Sequence, residues 1–405
     1  MRLLILADFL DPERPAGSAR VAWDMSRGLA SRGHECFVVA GLDKPRPALH
    51  QGSLHAAWFE HGNREKFAPL RILRMRRSAR RSIRELIAGR ALDVVVAHQP
   101  LVSRLTEAVS ELSKVPFVYV FHSPWHREFE LEHRIGSAHG VVGRIGARMR
   151  RGMEQRALGR AAMIVTLSSY MWHEALRWHS IDEKAWHMIP GGADLDRFSP
   201  GDRDPELRTR LGLPDRMRLV VTIRRLTPRM GLDVLLRAFL RVATEFPDTA
   251  LCIGGTGPLQ GELEAEVVSA ACRGRVFLLG HVPEAELAPL LREAALFVLP
   301  SRELEGFGLA MLESLACGTP CLATPVGGVG EVLDGLVGAF MSRSPSEEDL
   351  ANGLRHWLAD DRRREEYGVA AARHVRDKFG LERMLDGWED VLGGVLRQGN
   401  SVNGG

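Results

Sequence analysis

Lysine is scarce in this chain. Of its 54 basic residues, five are lysine (Lys44, Lys66, Lys114, Lys184, Lys378) and 49 are arginine. None lies between Lys184 and Lys378. An anion bound there must be held by arginine, backbone N–H groups or helix N-termini. Cysteine is scarce too. Cys36, Cys252, Cys272, Cys317 and Cys321 form an odd set without a CxxC pair, which argues against a disulfide framework or a cysteine zinc site. Cys317 and Cys321 read as small core residues. No run of about 18 uncharged apolar residues exists, so no membrane span is expected. Excess charge is nearly absent, with 54 Lys+Arg against 51 Asp+Glu leaving +3, so the total names no partner. The opening MRLLILADF carries Asp8 and no small-residue cleavage site. It is expected to be a first strand in a cytoplasmic protein, not a leader peptide.

What is present is ordinary globular composition, 45% hydrophobic and 26% charged over 405 residues, enough for two or three domains. Nearly continuous apolar runs alternate with helical patterns. RLLILAD (2–8), CFVVAG (36–41), DVVVAH (93–98), FVYVFH (117–122) and MIVTLS (163–168) form one set. RLVVTI (218–223), ALCIGG (250–255), RVFLLG (275–280), LFVLPS (296–301) and PCLATP (320–325) form a second. Such runs are strands buried on both faces by crossover helices, which predicts α/β domains with parallel sheets. The Gly-, Pro- and Asp-rich stretch 191–207 separates the sets as a linker. The expected domains are 1–190, 191–375 and a C-terminal element at 376–405. In 377–396, Phe379, Met384, Leu385, Trp388, Val391 and Leu392 can share a helical face that packs on the first domain. The tail SVNGG (401–405) is expected to be disordered.

Five stretches are expected to converge on a cleft at the carboxyl ends of the strands. RPAGSARVAWDM (14–25) offers a Gly-Ser turn, Gly17 and Ser18, opening a helix whose N–H groups can meet an anion. His122 ends the FVYVF strand. RRLTPRMGLDVLLRAF (224–239) crowds Arg224, Arg225 and Arg229 at a strand–helix junction, where positive charge suits a diphosphate. GGTGPLQGELE (254–264) supplies a Gly-rich turn around Gly255 and lacks the full dinucleotide spacing. SRELEGFGLAMLESLACGTPCLATPVGGVGEVL (301–333) is the most informative. It sets Glu305 in a loop and Glu313 on the following helix, with Gly306 and Gly308 permitting close approach of a ligand. A carboxylate that reads vicinal hydroxyls beside a helix N-terminus that cradles phosphate is what a sugar nucleotide needs.

The element Glu305 to Glu313, in EGFGLAMLE, resembles the donor-site motif of the retaining glycosyltransferases of family four (glycosyl transferases group 1). IPGGADLDRFSP (189–200), RRLTPRMGLDVLLRAF and AGSARVAWDMSRGLASRGHE (16–35) resemble its linker, diphosphate-binding segment and N-terminal Gly-rich loop, in the family's order. The resemblance runs from residue 1 to about 395. It implies the GT-B fold, two facing Rossmann-like parallel-sheet domains with a C-terminal helix crossing back to the first. It also implies roles by position. Glu305 binds donor-sugar hydroxyls, the N–H groups of Phe307, Gly308 and Leu309 hold sugar and phosphate, and Glu313 holds the ribose. Arg225 grips the diphosphate, Gly17 lies by the phosphates from the other domain, and His122 touches the donor sugar near the reacting centre. Met230 departs from the family, which has lysine there; Arg229 and Arg224 are the candidates to supply the charge. Ser18 stands where a second glycine is common.

The implied reaction moves a hexosyl-type group from a nucleotide-diphosphate sugar to an acceptor hydroxyl, with no metal and no further cofactor. DLD (194–196) and DRD (202–204) have metal-type spacing but read as turn formers in a linker. On the acceptor side, residues 64–84 hold nine basic residues (Arg64, Lys66, Arg71, Arg74, Arg76, Arg77, Arg80, Arg81, Arg84) against Glu65, with Ile72, Met75, Ala79, Ile83 and Leu86 on one helical face. Residues 144–160 add six arginines against Glu154. A basic amphipathic helix suits the anionic inner face of a membrane and a lipid-linked or cell-envelope saccharide acceptor; a solvated basic face is the plain alternative. A sugar-nucleotide epimerase of the same architecture remains open. A phosphorylase lacks the lysine it needs for pyridoxal phosphate. A nucleic-acid partner is not expected, because the basic segments lack interleaved aromatics.

Overall fold

The computed structural model describes residues 1–15, 17–61, 69–107, 109–132, 140–269 and 274–402. Ala16 of the Gly-rich turn, Arg64, Glu65 and Lys66 of the basic segment, and Cys272 lie outside them. The chain forms two compact units, Met1–Gly191 with Leu381–Gly405, and Gly192–Gly380.

The first unit is built on eight strands: β1 (Arg2–Ala7), β2 (Glu35–Leu42), β3 (Leu49–Gln51), β4 (Leu54–Glu60), β5 (Val94–Ala97), β6 (Phe117–Phe121), β7 (Met163–Thr166) and β8 (Trp186–Met188). Their order is β3-β4-β2-β1-β5-β6-β7-β8. Every pair is parallel except β3–β4. The expected all-parallel sheet is therefore corrected at one edge. β4 escaped the apolar-run criterion because His55 and Ala57 are only partly covered, so the strand alternates. β3 and β8, at three residues each, carry too little pattern to read. The central strands are fully buried, as continuous apolar runs require.

The second unit carries β9 (Arg218–Ile223), β10 (Thr249–Gly254), β11 (Val276–Gly280), β12 (Ala294–Leu299) and β13 (Cys321–Ala323), in the order β11-β10-β9-β12-β13 and wholly parallel. Leu232, Leu235, Leu236 and Phe239 of the helix Leu232–Val242 are all buried, so its expected apolar stripe faces the core. Cys36, Cys252, Cys317 and Cys321 are buried free thiols. Burial pushes Cys36, Cys252 and Cys317 to about 12, which makes them packing residues and not nucleophiles.

The expected single C-terminal helix is two. Asp361–Lys378 ends at Phe379, whose carbonyl accepts from the Ala193 N–H at 2.8 Å, and Leu381–Val402 begins anew. Gly380 falls at the break. Phe379 belongs to the second unit, whereas Leu381–Val402 packs in the first. Ser401 and Val402 continue that helix, so the expected disorder does not begin at residue 401. Leu385 fills the space over Gly28, where an added Cβ would stand 2.4 Å from Leu385 Cδ1. Arg32 donates to Glu389 at 2.7 Å and pairs with Asp386 at 2.8 Å. Trp388, at 1% exposed, anchors the helix. Trp388→Ala is expected to cost about 3–5 kcal/mol, read as an earlier urea transition in a tryptophan- or CD-monitored melt. A loss under 1 kcal/mol would mean that the helix is only loosely docked.

Candidate functional site

In the second unit the chain runs outward from β9 to β10 and β11, then returns to β12 on the other side of β9. The loops leaving β9 and β12 therefore diverge from adjacent strands and open the crevice where parallel sheets bind ligands. Arg224 and Arg225 follow β9, and Glu305 lies in the loop after β12.

These two loops meet in a buried ion pair. Arg224 Nη2 donates to Glu305 Oε2 at 2.5 Å, and Ser301 Oγ donates to the same oxygen at 2.6 Å. Only 9% of either charged side chain is exposed. Burial alone raises the Glu305 carboxyl; the Arg224 charge, the two hydrogen bonds and the Arg229 charge outweigh it and hold the group below its ordinary value. Glu305 is thus an oriented carboxylate. Two glycines let the backbones come this close. A Cβ on Gly255 (φ 132°) would lie 1.8 Å from the Arg224 carbonyl oxygen, and one on Gly327 (φ 71°) would lie 1.9 Å from that of Glu305. Gly255 thereby acts through the backbone of Arg224.

Of the other expected residues, Met230 and Arg229 lie near this pair. Met230 is buried, and its sulfur stands 2.9 Å from Arg224 Nη2. Of the two arginines that could supply the charge missing at Met230, Arg224 is the one whose guanidinium lies against it. Arg229 turns to the Leu304 carbonyl at 3.2 Å. Arg225 is exposed at the rim. Phe307 is buried, packed edge-on to Phe379 at 5.8 Å. Gly308 caps the helix Leu309–Ala316 without a side-chain partner for its first N–H groups, and Glu313 stands half-buried one turn along. The first turn of a helix presents backbone N–H donors and a positive dipole end that suit an anion.

The first unit has its own switch point between β1 and β5. Gly17 (φ 56°) caps the helix Ser18–Ser31. Ser18 Oγ accepts from Gln99 Nε2 at 2.5 Å, the Gln99 carbonyl oxygen accepts from the Asp8 N–H at 2.8 Å, and Asp8 Oδ1 accepts from the Val102 N–H at 2.5 Å. His122 follows β6 with Nε2 3.0 Å from Nδ1 of the buried His98. Burial lowers both rings, His98 well below the ordinary range with help from His122, and His122 to about 3. His122 is therefore a neutral hydrogen-bonding group. Ser301, His98, Gln99 and Asp8 escaped the sequence reading. Each is an ordinary strand-end residue; the partners of His98, Gln99 and Asp8 lie 24 to 91 residues away, whereas Ser301 meets Glu305 four residues on.

A family model described as "Glycosyl transferases group 1" matches residues 203–374, and one described as "Glycosyltransferase Family 4" matches residues 15–197. The chain is 33% identical over 232 residues to a GDP-mannose-dependent alpha-(1-6)-phosphatidylinositol monomannoside mannosyltransferase of Mycolicibacterium smegmatis, covering 55% of this chain and 60% of that one. It is 28% identical over 391 residues to a phosphatidyl-myo-inositol mannosyltransferase of Mycobacterium tuberculosis, covering 94% of each. The match spans only 53–60% of the length of the first three curated relatives. Sucrose-phosphate synthase from Thermosynechococcus elongatus superposes with a TM-score of 0.78 at 19% identity, over 99% of this chain and 100% of that one. That likeness is one of fold.

The histidine pair sets a pH dependence. Below pH about 6.5 the unfolded chain takes up protons that His98 and His122 refuse when folded, so stability falls as pH falls. Each ring contributes about 1.4 kcal/mol per pH unit until its folded value is reached. Urea unfolding between pH 7 and pH 5 is expected to show this loss, and His122→Gln is expected to lessen it by about 2 kcal/mol. An unchanged slope would mean that the His122 ring is protonated in the folded state.

Proposed function

Because the chain belongs to the family-four glycosyltransferases (glycosyl transferases group 1), with their GT-B fold, we propose that it transfers a sugar from a nucleotide-diphosphate sugar to an acceptor hydroxyl with retention of configuration. The single observation that carries the donor assignment is the buried Arg224–Glu305 pair beside the open N-terminus of Leu309–Ala316. Glu305, fixed and ionised, accepts hydrogen bonds from the hydroxyls of the donor sugar. The backbone N–H groups of Phe307, Gly308 and Leu309 receive sugar and phosphate oxygens, and Glu313 reads the ribose. As the nucleoside diphosphate departs, its growing negative charge meets Arg225, Arg229, Arg224 and the helix dipole. Donors already in place stabilise charge where it develops, which leaves the reaction no need of a divalent ion at the diphosphate. His122, neutral, can donate or accept one hydrogen bond without adding charge.

GDP-mannose is the donor and an inositol phospholipid or related glycolipid the acceptor of first choice, since both mannosyltransferases above carry phosphatidylinositol in their names and the first carries GDP-mannose. Thermal-shift measurements with GDP, UDP, ADP and dTDP sugars test the donor. GDP-mannose at about 100 times its Kd should stabilise the chain by about 2.7 kcal/mol, and stabilisation by another base alone would reassign it. Glu305→Ala is expected to lower transfer about 100-fold or more; activity within about twofold of wild type would remove Glu305 from the donor site.

Attachment to an anionic bilayer deepens the acceptor assignment. No helix among the described residues is long and apolar enough to cross a membrane. The helix Pro69–Ile87 cannot insert the face expected for it, because Met75, Ala79, Ile83 and Leu86 are buried in the core of the first unit. Its outward arginines, Arg74, Arg77, Arg81 and Arg84, remain exposed. The helix Gly140–Arg160 presents Arg144, Arg148 and Arg151 around Ile145 and Met149, which are 51% and 49% exposed. Both helices pack on Pro100–Thr106. Basic side chains around exposed apolar ones suit a lipid surface. Flotation with phosphatidylserine-containing vesicles is expected to carry the chain at low salt and to weaken as salt rises; no flotation at either salt would leave a solvated basic surface.

A further inference from the structure

The first unit holds a cluster that the reaction above does not use. His126 stands near the start of the helix Trp125–Glu132, Glu154 on Gly140–Arg160, and His179 just after Ser169–Trp178. Their exposures are 4%, 1% and 6%. One ligand atom from each lies within 4.8 Å of the other two, and no other such trio occurs among the described residues.

Glu154 is held in place. Its Oε1 accepts from the Tyr119 hydroxyl at 3.3 Å, and its Oε2 accepts from the Trp125 N–H at 3.1 Å and faces His179 Nε2 at 3.1 Å. His126 has no such support: neither of its ring nitrogens has a hydrogen-bond partner, nor has His179 Nδ1. The neighbours of His126 explain its packing but not its nitrogens. Trp178 lies edge-to-face at 4.9 Å and the His179 ring at 6.1 Å. Arg127 and Arg151 are turned onto the Trp178 ring, at 5.5 and 5.9 Å. A buried, unpaired imidazole within 4.8 Å of a carboxylate and a second imidazole has the donor set of a metal site.

We propose that His126, Glu154 and His179 bind one divalent transition-metal ion, and two imidazoles with one carboxylate point to Zn2+. In a four-coordinate site, bonds of about 2.0–2.2 Å set two ligand atoms about 3.3–3.6 Å apart, so the trio, now within 4.8 Å, closes on an ion by side-chain rotation. Glu154 binds as the carboxylate and the imidazoles through neutral nitrogens. Any proton held on the site leaves to solvent as the ion enters, and no electron moves. The ion would join three helices around the segment that follows β6, where His126 lies four residues beyond His122. Its role is positional and independent of the donor chemistry, so it stands or falls apart from the proposed transferase activity.

The full chain, stripped with chelator and dialysed, is titrated with Co2+ and then Zn2+. One equivalent of Co2+ should give the visible absorption of a four-coordinate ion, and Zn2+ should abolish it. His126→Ala, checked for native circular dichroism, should weaken binding about tenfold or more. Should that variant fail to fold, the Co2+ spectrum of the unaltered chain decides alone. Absence of saturable binding at one equivalent, or a spectrum without four-coordinate character, overturns the proposal. So does undiminished binding by folded His126→Ala, which would place the ion elsewhere, for instance at His50 and His55, whose Nδ1 atoms lie 3.0 Å apart.

Discussion

The second unit is organised around one buried ion pair. Arg224 and Glu305 leave adjacent strands, and their charges meet at 2.5 Å where little water reaches. A buried pair of this kind is tolerated only when its remaining hydrogen-bonding capacity is met, and leaving one partner alone costs about 3–5 kcal/mol. Ser301 meets part of that need at Glu305. Gly255 and Gly327 give up their side chains so that the flanking backbones can close on the pair. What results is a carboxylate of fixed direction and charge beside a helix end whose N–H groups remain open. Binding and catalysis of a sugar diphosphate need both.

The first unit uses the opposite electrostatic strategy. Beside the Asp8 carboxylate, its switch point carries neutral hydrogen-bonding side chains: Gln99 ties Ser18 to the Asp8 backbone, and His98 and His122 share one hydrogen bond while burial keeps them uncharged. Positive charge is displaced to the outer faces of Pro69–Ile87 and Gly140–Arg160. The near-zero net charge of +3 therefore conceals an uneven surface. The scarcity of lysine has a local consequence too, since at Met230 the nearest cation is an arginine reaching back from six residues upstream.

Much of the site was legible because it is local. The strand–loop–helix runs at 218–239 and 294–316 each carry their own pattern, and a glutamate flanked by glycines before an apolar helix reads as a ligand loop wherever it sits. The pairing of Arg224 with Glu305 was not legible, because 81 residues separate them and only the strand order β9-β12 makes them neighbours. The same holds for the basic helix at 69–87. Its periodicity showed an apolar face without saying what covers it, and the core of the first unit does. The edge strands β3 and β8 and the neighbouring β4 were missed because short or half-covered strands lack the continuous apolar signal.

The sequence by itself determined two α/β units, the buried parallel strands, the break near residue 191 and the loops that bear the proposed donor-site residues. These follow from hydrophobic periodicity and turn chemistry, which act over a few residues. Tertiary structure alone decided which of Arg224, Arg225 and Arg229 meets Glu305. It also decided that His122 is neutral, that the C-terminal segment breaks at Gly380 so that its last helix joins the first unit, and that His126, Glu154 and His179 gather in one buried place. Those outcomes depend on burial and on contacts between distant segments, and neither exists until the sheets have formed.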